Sequence, residues 1–161
     1  MTAIGVDDLA ALRYALRPGR AVMSVVSSAA TSPDDTVSFK DVAGVWQLAP
    51  GAASHWGMPV NGRLEYVWPE SRFVLLLGSV SMTAESANQV TMWRFAVNGV
   101  SLGSSEVQRK VGVAADVGAI GVVGGVVLGE GDYVTLQVRN SSTATDVTVE
   151  AASVVVVDYA T

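Results

Sequence analysis

The chain has 161 residues, 50% of them hydrophobic, with a mean hydropathy of +0.39 and a formal net charge of −5. Its 10 Lys and Arg face 15 Asp and Glu, and Arg109-Lys110 is the only adjacent basic pair, so the basic footprint of a nucleic-acid-binding protein is missing. Cysteine is absent, which excludes disulfide staples, thiolate zinc sites and cysteine nucleophiles together.

A chain this apolar either spans a membrane or buries surface against partners. The longest apolar stretch, Val117–Gly129, is too short to cross a bilayer as a helix and is interrupted by Gly118, Gly121, Gly124 and Gly125. Burial against partners is therefore expected, and oligomerisation is its simplest form. The N-terminus, MTAIGVDDLAALRYALRPG, carries early acids and no continuous apolar core, unlike a secretory signal. The length suits one main domain with room for an appended arm.

Val6–Arg17 is expected to be a helix. Leu9, Leu12 and Leu16 recur at helical spacing. Asp7 and Asp8 in the first turn and Arg13 and Arg17 near the end complement the helix dipole, and Pro18-Gly19 stops it. A short terminal helix is marginal alone, so it must pack, either on its own domain or as an arm on a neighbouring subunit.

Ala21–Ser28 reads as a strand, Ala29–Asp35 as a loop, and Thr36–Leu48 as one or two strands around Gly44. Ala49–Pro59 is rich in Ala, Gly and Pro and reads as a linker or long loop. The chain thus divides into an arm (1–20), strands and a linker preceding the core (21–60), and a core (61–161).

Within the core the alternation is clear. In Arg72–Ala84, Val74, Leu76, Val80 and Met82 share one face and Ser79, Ser81 and Thr83 the other. Phe73, Leu75 and Leu77 make its first half apolar on both faces, and such a strand is expected to be covered on both. In Val90–Asn98, Trp93, Phe95 and Val97 oppose Met92, Arg94 and Ala96, and Asn98-Gly99 signals a hairpin turn. In Tyr133–Asn140, Val134, Leu136 and Val138 are expected inside and Thr135, Gln137 and Arg139 outside. Asp146–Tyr159 ends apolar on both faces over Val154–Val157. Short strands with Gly/Asn turns and no alternating helices point to a sandwich or barrel.

Little in the chain suggests chemistry. His55, the only histidine, reads as a loop residue packed near Trp56; it cannot build a His₂ or His₃ metal site within one chain, and nothing in the spacing argues for one shared by three copies around a trimer axis. Gly103–Ser105 is not a nucleophile elbow. The glycines of Gly118–Gly125 lack the Lys-Ser/Thr of a phosphate loop and read as bends or close backbone approach. Asp34-Asp35 lacks calcium-loop spacing. Trp93 is expected in the core; Trp46, Trp56 and Trp68 are candidates for interface anchors or carbohydrate platforms. No catalytic residue, cofactor or metal ligand is assigned.

One pair of motifs has a familiar form. FAVNGVSLG (Phe95–Gly103) is followed by VVLGEGDYVTLQVRN (Val126–Asn140). Gly131 suits a turn needing positive φ, and Asp132 can bond its own turn backbone. The order Phe95, Val97, Asn98, Gly99, then Leu128, Gly131, Asp132, Val134, Leu136, Val138 and Asn140, resembles the trimeric jelly rolls of the C1q and tumour-necrosis-factor type. It looks in particular like their short versions on phage virions, and the resemblance spans Asn61–Tyr159. It implies an all-β jelly-roll β-sandwich assembling as a homotrimer without enzymatic activity, to which the helical pattern of Val6–Arg17 adds a short N-terminal helical arm. It also implies a capsid decoration (cement) protein on the virion surface that binds the major capsid protein and stabilises the lattice by mass action. The alternative is the receptor-binding head of a tail or fibre recognising host glycans. Phe73, Leu75, Leu77, Val155 and Val157 are the candidate trimer interface; Leu9, Leu12 and Leu16 are the candidate capsid-docking residues.

Overall fold

The computed structural model describes residues 18–51 and 55–159. The segment expected to be a helix, with Leu9, Leu12 and Leu16, lies outside them.

Alternating apolar and polar residues pair into strands along most of the described chain. In order these are β1 (Arg20–Ser27), β2 (Ala30–Thr31), β3 (Lys40–Asp41), β4 (Val45–Leu48), β5 (Trp56–Val60), β6 (Arg63–Tyr66), β7 (Arg72–Ala84), β8 (Gln89–Val97), β9 (Val100–Ser101), β10 (Val107–Val111), β11 (Gly118–Leu128), β12 (Tyr133–Asn140) and β13 (Val147–Tyr159). One sheet runs β11-β7-β13-β1-β4, with β2 beside β13. The other runs β10-β8-β12-β6-β5, with β3 beside β12 and β9 beside β8. Neighbours in space are mostly distant in sequence, and the pairs are antiparallel, which is the jelly-roll arrangement.

The core lies between the sheets. Met23, Val74, Leu76, Val122, Val154 and Val156 of the first sheet meet Leu64, Tyr66, Trp93, Phe95, Val134 and Leu136 of the second. Period-two alternation places these residues on one face of each strand. Trp93 is fully buried, as expected, and its indole donates to Thr91 Oγ1 at 2.9 Å.

Two turns carry the motif pair. Asn98 and Gly99 both have positive φ, 52° and 78°, the conformation a two-residue hairpin turn needs, and they join β8 to β9. Gly131 has φ 84°, and Asp132 Oδ2 accepts the Gly129 N–H at 2.8 Å, closing the turn into β12. Asn140, at the far end of β12, is buried; it donates to Gln89 Oε1 at 3.0 Å and accepts from the Ser142 N–H at 3.1 Å.

Some expectations change. Residues 20–60 supply β1 to β5, and β1 lies between β13 and β4 inside the first sheet, so the sandwich draws on both sides of residue 61. The end of the stretch read as a linker, Trp56–Pro59, belongs to edge strand β5. Thr135 and Gln137 point away from the core as alternation requires, yet they are buried. Asp41 of β3 covers them, its Oδ1 accepting from Thr135 Oγ1 at 2.9 Å and Gln137 Nε2 at 3.0 Å. Phe39 extends this cover: Arg94 lies 3.7 Å and Arg139 4.9 Å from its ring centre. Burial here holds the Arg94 guanidinium below its ordinary pKa, partly offset by Glu106.

Candidate assembly surface

The five residues singled out for an interface fall on one surface. β7 lies between β11 and β13, so each outward side chain has a neighbour on either side. Leu77 stands between Val123 and Val155, Leu75 between Gly125 and Val157, and Phe73 between Val127 and Tyr159. β1 extends the rows, with Val22 opposite Val155 and Arg20 opposite Val157. All point away from the core on the outer face of the first sheet.

This patch is solvent-facing in the isolated chain. Val127 is 60% exposed, Val123 56%, Tyr159 47%, Phe73 40% and Leu77 38%. Leu75, Val155 and Val157 are half-buried among them. Gly125 shapes it: a Cβ there would lie 2.7 Å from Phe73 Cζ, so the ring rests against the β11 backbone. Beyond Gly78 the face changes character. Ser24, Ser79, Ser81, Ala119, Ala151 and Ser153 line a shallow concavity of about 320 Å³. An apolar half and a half of small, hydroxyl-bearing residues can pack against a protein surface. Among the described residues, those lining the concavity carry small apolar or hydroxyl side chains.

Val123, Val127 and Tyr159 belong to the patch but escaped the sequence reading. The signal was present as valines alternating with glycines in β11, but glycine dilutes the periodic pattern on which such readings depend.

Behind the patch sits a buried ionic cluster. Asp158 lies between Val157 and Tyr159 on β13 and turns inward, fully buried. Among the described residues, four donors converge on its carboxylate. Oδ1 accepts from the Gly19 N–H at 2.8 Å and Arg72 Nη1 at 3.2 Å; Oδ2 accepts from Trp56 Nε1 at 3.2 Å and pairs with His55 Nδ1 at 3.0 Å. The His55 ring stacks on Trp68, with centroids 4.2 Å apart. His55 is thus not merely packed near Trp56: it is a buried partner of an aspartate 103 residues away in sequence. Trp46 and Trp56 are buried as well, which removes them as sugar platforms or exposed interface anchors.

Comparison with known proteins agrees with this architecture. No family model matches the chain, and no curated protein matches it in sequence. In structure it is similar to murine APRIL crystallised at pH 5.0, with a TM-score of 0.60 at 11% identity over 88% of this chain and 99% of that one. It is also similar to Eiger TNF from S. frugiperda, with a TM-score of 0.60 at 14% identity over 89% of this chain and 94% of that one. The fold is a TNF-like jelly roll. At these identities the likeness concerns the fold, and what the protein does has to be argued from its surfaces.

Proposed function

We propose that this chain is a structural virion protein that assembles as a homotrimer and decorates a phage capsid, binding the major capsid protein and stabilising the assembled head. The observation that carries the assembly part is the apolar outer face of the first sheet. Phe73, Leu77, Val123 and Val127 are large, exposed and contiguous, and such a patch on a folded domain marks an interaction surface. Each such side chain contributes about 1.5–3 kcal/mol when fully buried. The phage setting and the capsid partner rest on the sequence resemblance and on the amphipathic pattern of Leu9, Leu12 and Leu16. The receptor-binding alternative drew on Trp46, Trp56 and Trp68; Trp46 and Trp56 are buried and Trp68 is half-buried, so it has less exposed aromatic surface to use than its sequence offered.

The test is light scattering on the full chain and on a form lacking residues 1–17, followed by sedimentation of each with empty and full heads. The deletion stops short of Gly19 because that residue belongs to the Asp158 cluster. A trimer that survives deletion but no longer decorates particles is expected. A full-length monomer overturns the trimer reading, and a truncated form that still decorates heads overturns the docking role of the arm.

A further inference from the structure

Two asparagines of this chain precede a glycine, in Asn61-Gly62 and Asn98-Gly99. A glycine has no side chain to hinder its backbone nitrogen, which can attack the carboxamide carbon of the asparagine before it. The structure separates the two sites.

Asn61 is locked. Its Oδ1 accepts the Trp46 N–H at 2.8 Å and its Nδ2 donates to the Gly44 carbonyl at 2.8 Å. Gly62 rests on the buried Trp46 ring, where an added Cβ would lie 3.1 Å from Cδ1. Opening that turn means lifting it off the core.

Asn98 has no such backing. Asn98, Gly99 and Val100 are all exposed, and a Cβ on Gly99 would meet only the Tyr133 hydroxyl, at 3.9 Å. What holds the carboxamide is a pair of bonds at the surface: Nδ2 donates to Asp132 Oδ1 at 2.7 Å, and Oδ1 accepts the Tyr133 N–H at 3.0 Å. Ring closure onto the Gly99 nitrogen needs the Cβ–Cα and Cα–C bonds of Asn98 to rotate, so this anchored turn has to open first. Solvent-exposed bonds at a turn open far more often than those of a core strand.

We propose that Asn98 is a self-modification site, a deamidation gated by Asp132, whose product destroys the gate. In the opened turn the Gly99 nitrogen bonds to Asn98 Cγ, the Cγ–Nδ2 bond breaks, and Nδ2 leaves as ammonia with the proton that Gly99 gives up. Water then adds to one carbonyl carbon of the five-membered imide and breaks its bond to nitrogen. The net reaction converts amide and water to acid and ammonia, with no oxidant or cofactor. Cleavage at the side-chain carbon gives aspartate, which sets a carboxylate against that of Asp132. Cleavage at the main-chain carbon gives isoaspartate, which lengthens a two-residue turn by a methylene. Both products lose the Nδ2 donor, so the turn cannot be stitched again as before. Leu102 and Ser105, just beyond the turn, pack over Gly124 of β11, and their hold on that strand is what the change loosens. The site stands whatever the outer sheet face binds.

The test is incubation of the full chain in mildly alkaline buffer, with the peptides containing Asn61 and Asn98 followed by mass spectrometry. Native protein should convert Asn98 several-fold faster than Asn61, and in urea the two rates should converge. Asp132→Ala should speed conversion of Asn98 by about fivefold and leave Asn61 unchanged. The deamidated chain, separated as a more acidic form, should unfold at lower urea than the unmodified one. Native rates that are equal at the two sites or negligible at Asn98, an Asp132→Ala variant in which Asn98 is no faster or Asn61 rises equally, or an acidic form of undiminished stability each overturns the proposal. If Asp132→Ala does not fold, the wild-type rates and the stability of the acidic form still decide it.

Discussion

Asn98 donates from Nδ2 to Asp132 Oδ1 at 2.7 Å, across 34 residues of sequence. Asn98 Oδ1 in turn accepts the Tyr133 N–H at 3.0 Å, and the Asn98 N–H reaches the Tyr133 carbonyl at 3.0 Å. The two motifs that stood out in the sequence are therefore one structural unit. The hairpin turn after β8 and the turn into β12 are stitched together at the same end of the second sheet.

That stitching should be measurable as coupling. Asn98→Gly keeps the positive φ but removes the side-chain bonds, and is expected to cost about 1 kcal/mol. Asp132→Ala also removes the acceptor of the Gly129 N–H and should cost more. In a double-mutant cycle read by urea unfolding, the pair should show about 0.5–1.5 kcal/mol of interaction energy. A sum of the single effects within error would mean that the bond at this exposed end does not stabilise the fold.

A charge in the apolar patch should separate assembly from folding. Leu77 is exposed in the isolated chain, so Leu77→Glu is expected to leave circular dichroism nearly unchanged and to lower the melting point only by what assembly contributes. Burying that carboxylate against a neighbour would cost several kcal/mol, so the mutant should scatter light as a monomer. Wild-type mass for the mutant would place the interface elsewhere.

The neighbouring glycines Gly124 and Gly125 should respond differently to the same added methyl group. A Cβ at Gly124 meets Leu102 Cδ2 at 2.8 Å and Ser105 Cβ at 3.2 Å, on the core side of β11. Gly124→Ala should destabilise by about 1–3 kcal/mol. At Gly125 the obstacle is the edge of the Phe73 ring, which can swing outward. Gly125→Ala should therefore shift the melting point less, and show its effect in the oligomer's dissociation midpoint.

Phe39 holds the segment that covers Thr135 and Gln137. Two guanidinium groups lie over its ring, each such contact being worth about 0.5–1 kcal/mol. Phe39→Ala should cost about 1–2 kcal/mol by denaturant unfolding and speed proteolysis within residues 32–40.

The same segment carries a pH signature. Hydrogen bonds from the Ser38 and Val37 N–H groups hold the Asp35 carboxyl below its ordinary value of 3.8. A depressed carboxylate stabilises above the unfolded value and loses that contribution as pH falls through the folded one. The ordering that Asp35 gives the loop should thus be complete above about pH 4 and fade below it, and Asp35→Asn should flatten that dependence in loop exchange rates.

Strand periodicity was enough to place Val74, Leu76, Trp93, Phe95, Val134 and Leu136 in the core, because side chains alternate across a pleated strand whatever lies beyond it. It also marked Phe73, Leu75, Leu77, Val155 and Val157, since a run apolar on both faces leaves one apolar face to spare. Glycine and asparagine at the turns were legible for a local reason: only a few residue types tolerate positive φ. What alternation does not encode is which strand lies beside which and what lies over an outward face. Only the tertiary structure joined β11, β7 and β13 so that Val123, Val127 and Tyr159 complete the patch. It alone laid Phe39 and Asp41 over Thr135 and Gln137, and brought His55, Arg72, Asp158 and Gly19 together. Those contacts join residues up to 139 apart, and their energy comes from desolvated charge and ring stacking created by the closed sandwich, which no local pattern of residues records.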